Sequence, residues 1–428
     1  MKIYIIGIGM DGRKTLTEEA RAAIKNADVL IGAERMLEPF SDLKKERFIS
    51  WKSDEICEYL KNKGLATAAI LMSGDCGFYS GAEKLITALS DHETKIISGI
   101  SSPQYFCAKI QKPWQNMKFV SLHGADGNIV RNVCRNEYCF FLLGGDTTPA
   151  DICKRLCGYG RANITVYIGE NLGYGNEKIC SDIASDFTDI KCEKLCVMVT
   201  ENPHCERFTP LGIDDKEFIR GNVPMTKSEI RTSVISKLNI GKNDMCWDIG
   251  CGTGSVSVEM ALQCYNGRVY AVDKNEEAVE LTRQNAYKFG CDNIEIISAA
   301  APEILSDFPA PDKVFIGGSC GKIREILNVI YEKNSKAEIV ITAVSLETLN
   351  ESVTAFSVFG IDSPEIVQLA VTRTKKIGNH TMLSAENPIF IIKGALIKAV
   401  GIDYAPRKSL TERGDNRFNQ RSIKGVKY

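Results

Sequence analysis

Two α/β units in tandem, each built on a mostly parallel sheet, are predicted for this chain of 428 residues. Three observations carry the prediction. Short apolar runs alternate with amphipathic stretches almost from end to end, the pattern of strands covered by helices on both faces. Polar, glycine-rich turns repeatedly follow an apolar run directly. At roughly 150 residues per domain, the length suits two or three cores.

The elements follow in order. KIYIIGIGMDG (2–12) reads as a buried strand entering a glycine turn. A helix starting near Leu16 leads to the strand ADVLIG (27–32), and a helix over 54–63 leads to the strand ATAAILMSGD (66–75). A helix over 81–89, the strand KIISG (95–99) and a helix from Pro103 come next. FFLLGGD (140–146) and ITVYIGE (164–170) are strands around a helix over 149–157, and KLCVMVT (194–200) is the last strong strand of this half. ENPHCERFTPLG (201–212) has two prolines, a glycine and mixed charges, the composition of a boundary. Domains are therefore expected at 1–202 and 213–400, joined by a linker at 203–212. In the second domain a helix from Thr226 precedes the strand MCWDIG (245–250). Alternation continues through RVYAVD, EEAVELTRQNAYKFG, NIEIIS, KVFIGG, IREILNVIYEK and AEIVITAV to PIFIIKGALI (388–397).

Composition narrows the function. Fifty-three Lys and Arg balance 54 Asp and Glu, so the overall footprint of a nucleic-acid binder is missing. No apolar run reaches the roughly 20 residues of a membrane-spanning helix. The opening strand lacks the layout of a signal peptide. The 16 cysteines form no CxxC pair and the four histidines stand apart, so no metal site is expected. Scattered cysteines read as small buried hydrophobes of a reduced, cytoplasmic protein. The stretch 401–428 is basic and without periodicity, and is expected to be disordered.

The sharpest local signal is Asp248-Ile-Gly-Cys-Gly-Thr-Gly254, between a strand and the helix SVSVEMAL. Gly250, Gly252 and Gly254 permit a tight turn and close approach of a ligand to the backbone around Cys251 and Thr253. Such a turn also serves nicotinamide-dinucleotide folds. Asp273 ends the next strand, where a carboxylate can hold ribose hydroxyls. Ala299-Ala-Ala-Pro-Glu303 follows the strand after that, where an adenine ring would lie against Ala300 and Ala301. The first half collects similar groups at four strand ends. They are Gly7, Gly9 and Gly12; Ser73, Gly74 and Asp75; Gly99, Ser101 and Ser102; and Gly144, Gly145 and Asp146.

The set in the second half resembles the class I S-adenosylmethionine (SAM) methyltransferases, a Rossmann-like fold. With GNVPMTKSEIR (221–231), FIGGSCG (315–321) and TAVSLETL (342–349) it resembles the decarboxylating precorrin C15-methyltransferases over about 211–396. That resemblance implies Thr226 as a cofactor contact, beside Asp248, Gly250, Cys251, Gly252, Thr253, Gly254, Asp273, Ala300 and Ala301. Lys227, Glu229 and Arg231 share the segment as candidate substrate contacts, with a solvated face or ion pair as the equal reading. The first half resembles the tetrapyrrole methylases, a different SAM fold (class III), and within them the precorrin C5-methyltransferases. GISSPQYFCAKI (99–110) and VSLHG (120–124) carry that likeness over about 1–202. It implies Gly7, Gly9, Met10, Ser73, Gly74, Asp75, Ser101 and Ser102 as cofactor contacts. Met10 and Cys76 stand where the family usually has proline.

Together the halves resemble the precorrin-6Y C5,15-methyltransferases (decarboxylating). The resemblance implies one SAM per domain and a homo-oligomer. It implies methylation of C5 and C15 of precorrin-6B or cobalt-precorrin-6B, with loss of the ring C acetate carboxyl as CO2. Competing readings are a decayed first half serving as scaffold and a methyltransferase for another acceptor. A nucleic-acid acceptor lacks its catalytic motif, and Asn387-Pro-Ile-Phe390 is only superficially similar to one.

Overall fold

A computed structural model describes residues 1–122, 127–361 and 363–395. His123 and the basic stretch 401–428 fall outside the described residues. Among the described residues no helix is long and apolar enough to cross a membrane.

The first half holds two sheets rather than the single parallel sheet expected. Its first lobe contains β1 (Lys2–Gly7), α1 (Glu18–Asn26), β2 (Val29–Gly32), α2 (Glu34–Leu37), β3 (Glu46–Ile49), α3 (Ser53–Lys61), β4 (Thr67–Met72), α4 (Ala82–Ala88), β5 (Glu93–Ile97) and α5 (Ser102–Lys109). The strands lie in the order β3-β2-β4-β1-β5, all parallel. β1 buries Ile3, Ile5 and Ile6 because helices cover both faces, which is why the strand reads as a continuous apolar run. α1 starts where the Thr17 side chain accepts from the Ala20 N–H, with Glu18 and Glu19 in its first turn.

The second lobe contains β6 (Lys118–Ser121), α6 (Ile129–Arg135), β7 (Tyr138–Leu142), α7 (Pro149–Gly158), β8 (Thr165–Glu170), β9 (Lys178–Ile183) and β10 (Cys196–Glu201). Its order is β6-β7-β10-β8-β9. β6 and β7 are parallel, and every other pairing is antiparallel. α7 is fixed by a capping box, Thr148 with Asp151, and by Pro149 in its first turn.

The second half contains α8 (Ser228–Leu238), β11 (Met245–Ile249), α9 (Ser255–Gln263), β12 (Arg268–Asp273), α10 (Glu276–Lys288), β13 (Ile294–Ser298), β14 (Lys313–Ile316), α11 (Ile323–Lys333), β15 (Glu338–Ala343), α12 (Leu346–Val358), β16 (Glu365–Leu369), β17 (Thr372–Ile377), β18 (His380–Ala385) and β19 (Ile389–Ala395). Seven strands form one sheet in the order β13-β12-β11-β14-β15-β19-β16. β11 to β15 are parallel, and β19 runs antiparallel to both its neighbours. The order reverses beside β11, which puts a crevice at the carboxyl end of that strand. β17 and β18 form a separate exposed hairpin.

The halves are docked through specific polar contacts. Asp292, 6% exposed just before β13, accepts from the first-turn N–H groups of α6, Val130 at 2.8 Å and Arg131 at 2.9 Å. Arg155 Nε lies 3.1 Å from the same carboxylate. Asn128 Nδ2 donates to the carbonyls of Tyr265 and Gly267, and the Arg135 guanidinium lies 4.0 Å from the Tyr265 ring centroid. A buried carboxylate of one half thus satisfies helix-terminal donors of the other.

Candidate functional site

In the first half, the turns after β1, β4 and β5 are tied to one another. Gly9 and Gly74 exchange two backbone hydrogen bonds of 3.1 and 2.9 Å. Asp75 accepts from the Gly77 N–H at 2.8 Å with one oxygen and from the Gly99 N–H at 3.0 Å with the other. A side chain at Gly99 would put its Cβ 2.3 Å from the Gly74 carbonyl oxygen, so only glycine lets these turns converge. Ser101 starts α5 and hydrogen-bonds Gln104.

A cleft of about 450 Å³ opens above these turns, between the lobes. Met10, Ser73, Gly74, Asp75, Ser101 and Ser102 line it from the first lobe. Gly7 and Gly9 are not in the lining; both pack against the turn residue Gly74, which is. Gly144, Gly145 and Asp146 are not in the lining; from that strand Leu142 and Leu143 reach it instead. The far wall, which carries Asn171, Leu172, Tyr174 and Val197, comes from the second lobe and was not foreseen.

In the second half, the turn after β11 folds as its glycines dictate. Gly250, Gly252 and Gly254 have φ of 78°, 57° and 73°. A Cβ at Gly250 would meet the Gly318 backbone nitrogen at 2.7 Å, and one at Gly252 the Pro224 carbonyl oxygen at 2.8 Å. The 224–226 segment therefore lies directly over the turn. Asp273 accepts from Gly252 N–H and Asn275 N–H, each at 3.0 Å, which brings its carboxylate to the turn. The Cys251 side chain faces away, buried with its thiol 3.4 Å from the Thr282 hydroxyl, so this residue offers only backbone to a ligand. Ala300 is exposed beyond β13, and Ala301 is half-buried against the core.

Asp248 is wholly buried and takes a hydrogen bond from the Ser257 hydroxyl on α9, while its Oδ1 has no partner among the described residues. The buried Thr253 hydroxyl is also unpartnered among the described residues. Burial pushes the Asp248 carboxyl up to about 7; the Ser257 hydrogen bond opposes this and the charge of Asp273 adds to it.

Arg231 departs from the expected substrate contact. It is 0% exposed, with Nε 2.5 Å from Glu259 and Nη1 2.6 Å from the Thr226 carbonyl. Asp215, the Ile213 carbonyl and the Phe218 ring take up its remaining surface. Glu259 also accepts from Gly212 and Ile213 N–H groups. The pair is an internal brace that holds the 212–226 segment over the glycine turn, and Glu259, on α9, was missed because it reads as one polar position on an apolar helix. Glu229 pairs with Arg373 of the β17–β18 hairpin. The Lys227 side chain, half-buried, makes no hydrogen bond or ion pair with any described residue.

Comparison with known proteins matches two families to separate parts of the chain. The tetrapyrrole (corrin/porphyrin) methylases match residues 2–186, and the precorrin methyltransferase domain matches 217–394. A probable cobalt-precorrin-6B C(15)-methyltransferase (decarboxylating) from Saccharolobus solfataricus is 46% identical, over 43% of this chain and 94% of its own. A precorrin-6Y C(5,15)-methyltransferase (decarboxylating) from a Sinorhizobium species is 27% identical over 81% of this chain and 85% of its own. A crystal structure of precorrin-6Y C5,15-methyltransferase from Geobacter metallireducens aligns with a TM-score of 0.40 and 36% identity, over 44% of this chain and 98% of its own. The chain belongs to the decarboxylating precorrin methyltransferases, with a tetrapyrrole methylase domain joined to a precorrin methyltransferase domain.

Proposed function

We propose that the chain is a bifunctional, SAM-dependent C-methyltransferase of cobalamin biosynthesis. It methylates C5 and C15 of precorrin-6B or cobalt-precorrin-6B and removes the ring C acetate carboxyl as CO2, giving the corresponding precorrin-8. The observation that carries this reading is the presence of both matched domains in one chain, each with a glycine-built ligand turn at strand carboxyl ends. Domains at 1–202 and 213–400, with the linker at 203–212, are part of the proposal.

One SAM per domain is proposed. In the second half, a class I methyltransferase fold in this reading, the residues suit a cationic nucleoside cofactor. Asp248 Oδ1 is a buried acceptor without a partner among the described residues, and the Asp273 carboxylate is drawn up to the glycine turn. Thr226, Asp248, the 250–254 turn, Asp273, Ala300 and Ala301 would hold it. In the first half, Met10, Ser73, Gly74, Asp75, Ser101 and Ser102 would do so, with Gly7 and Gly9 supporting them. The cofactor supplies a methyl group already activated on a sulfonium. The chain's own task is then to align donor and acceptor carbon and to exclude water, not to provide a covalent nucleophile. Lys227, whose side chain has no partner among the described residues, is placed to meet a substrate carboxylate.

A homo-oligomer in the cytoplasm completes the proposal. All 16 cysteines are free, as a reducing compartment keeps them. The exposed hairpin β17–β18, with Met382 and Leu383 at its surface, is a shape that rarely stands alone in water. The deciding experiment is mass spectrometry of precorrin-6B incubated with excess SAM, with and without cobalt in the ring. Gain of two methyl groups with loss of one CO2 is expected. No change with either form, despite SAM binding, overturns the assignment.

A further inference from the structure

The mouth of the amino-terminal cleft carries groups that the cofactor turns do not use. Arg35, on α2 of the first lobe, and Lys194, before β10 of the second, both line the cleft and are exposed. Neither pairs with a carboxylate among the described residues. Among the described residues the one partner of the Arg35 side chain is the Tyr174 hydroxyl of the opposite lobe, 3.0 Å from Nη1. Four of the five guanidinium donors are left for a ligand.

Tyr174 itself is held firmly. Its turn is fixed by Glu177, which accepts from the Gly173 N–H at 2.7 Å, the Tyr105 hydroxyl at 2.8 Å and Lys109 at 2.8 Å. Gly173, with φ of 83°, sits so near Met10 that a Cβ would lie 2.6 Å from the Met10 Cβ.

Tyr79 stands on the first-lobe side of the same mouth. It is 58% exposed and its φ is 46°, a conformation that a bulky side chain adopts only when the surroundings force it. Its ring makes only a T-shaped contact with Phe78, at 4.9 Å, and more than half of the residue stays in solvent. A strained backbone that keeps an aromatic side chain in water at the lip of a cleft is a ligand-facing arrangement. The cleft volume lies at the small end of the range for drug-sized ligands, so a cofactor fills it and a macrocycle must lie at the mouth.

We propose that Arg35 and Lys194 anchor substrate carboxylates at the amino-terminal site and that Tyr79 is the aromatic platform for the macrocycle. The mouth, not the glycine turns, then selects a flat, acidic substrate. This inference rests on the tetrapyrrole reading above. The hydrogen bond of Arg35 to Tyr174 is the resting partner that the substrate carboxylate replaces.

The test uses the full chain and whichever form of precorrin-6B the wild type accepts. Methylation at C5 is measured, and transfer at C15 with CO2 release on the same chain is the internal control. Arg35→Gln is expected to raise the tetrapyrrole KM for C5 transfer about tenfold or more, the effect of losing a charge-assisted hydrogen bond. The SAM KM and the C15 reaction should not move, and Arg35→Lys should recover part of the loss. Tyr79→Leu should raise the same KM and Tyr79→Phe should not. Tyr174→Phe removes the resting partner but keeps the guanidinium, so the tetrapyrrole KM should stay level or fall. If Arg35→Gln leaves that KM unchanged, or if Tyr174→Phe is as damaging as Arg35→Gln, Arg35 is only a brace between lobes and the proposal fails. If the wild type transfers no methyl to C5, the tetrapyrrole reading itself fails and takes this proposal with it.

Discussion

Replacing Asp292 by Ala tests whether the docked halves behave as one body. The carboxylate is 6% exposed and accepts from two backbone N–H groups of α6 as well as facing Arg155. Its removal leaves the Val130 and Arg131 N–H groups buried without an acceptor. Each such orphan costs about 1–3 kcal/mol. Loss of one member of a buried charged cluster costs about 3–5 kcal/mol, so about 3 kcal/mol is the working figure. For a unit of about 200 residues, that corresponds to a fall of roughly 6–12 °C in Tm. Two optical signals separate the halves. Trp247 is wholly buried in the second half while Trp51 and Trp114 of the first half are exposed, so the red shift of buried-tryptophan emission reports the second half, and circular dichroism follows the whole chain. In the wild type the two melting curves should coincide. In Asp292→Ala the curves should part, the earlier transition moving down by several degrees, while C15 transfer at low temperature persists. Coincident curves with an unmoved midpoint would show that the docking carries no stability.

Other perturbations separate site from scaffold. Gly252→Ala, with φ of 57° and a Cβ 2.8 Å from the Pro224 oxygen, should abolish C15 transfer and leave C5 transfer intact in a mass-spectrometric assay. Arg231→Leu leaves Glu259 charged, wholly buried and without its partner; a loss of about 3–5 kcal/mol is expected by denaturant titration, and Arg231→Lys should not restore it. Asp248 gives a pH signature. Its carboxyl rises to about 7 in the fold from an ordinary value near ~3.9, so between those pH values the native state holds a proton that the unfolded chain lacks. Stability should therefore fall as pH rises through that window. Affinity for a cationic cofactor in the second half should rise through it and level off above, as calorimetry at several pH values would show; Asp248→Asn should flatten both trends.

Much of the scaffold is legible in the residues. Buried parallel strands such as β1 and β11 are continuous apolar runs, and the glycine spacing at 250–254 leaves the backbone few alternatives. The antiparallel lobe is harder. β9 is mostly exposed, with the sequence KICSDI, and lacks any apolar alternation. β17 and β18 are exposed throughout, so no burial pattern marks them. Cavity walls assembled from distant segments leave no local trace: Tyr174 meets Arg35 across 139 residues. Arg231 misled because a Lys/Glu/Arg helix start ordinarily faces water, and its partner Glu259 lies 28 residues on.

The place of docking also sets the route of the intermediate. Gly267 and Asp292, which meet the first half, lie at the amino ends of β12 and β13. The Gly250–Gly254 turn and Asp273 lie at the carboxyl ends, about 20 Å away along a six-residue strand. The loops proposed to methylate C15 therefore point away from the half that would methylate C5. A singly methylated tetrapyrrole passing between the halves must therefore reach the end of the second half's sheet opposite the docking contacts. Fusion thus fixes the two domains in equal numbers while the second half's turns face away from the docking contacts. A scavenger added to the bulk solution should intercept the intermediate.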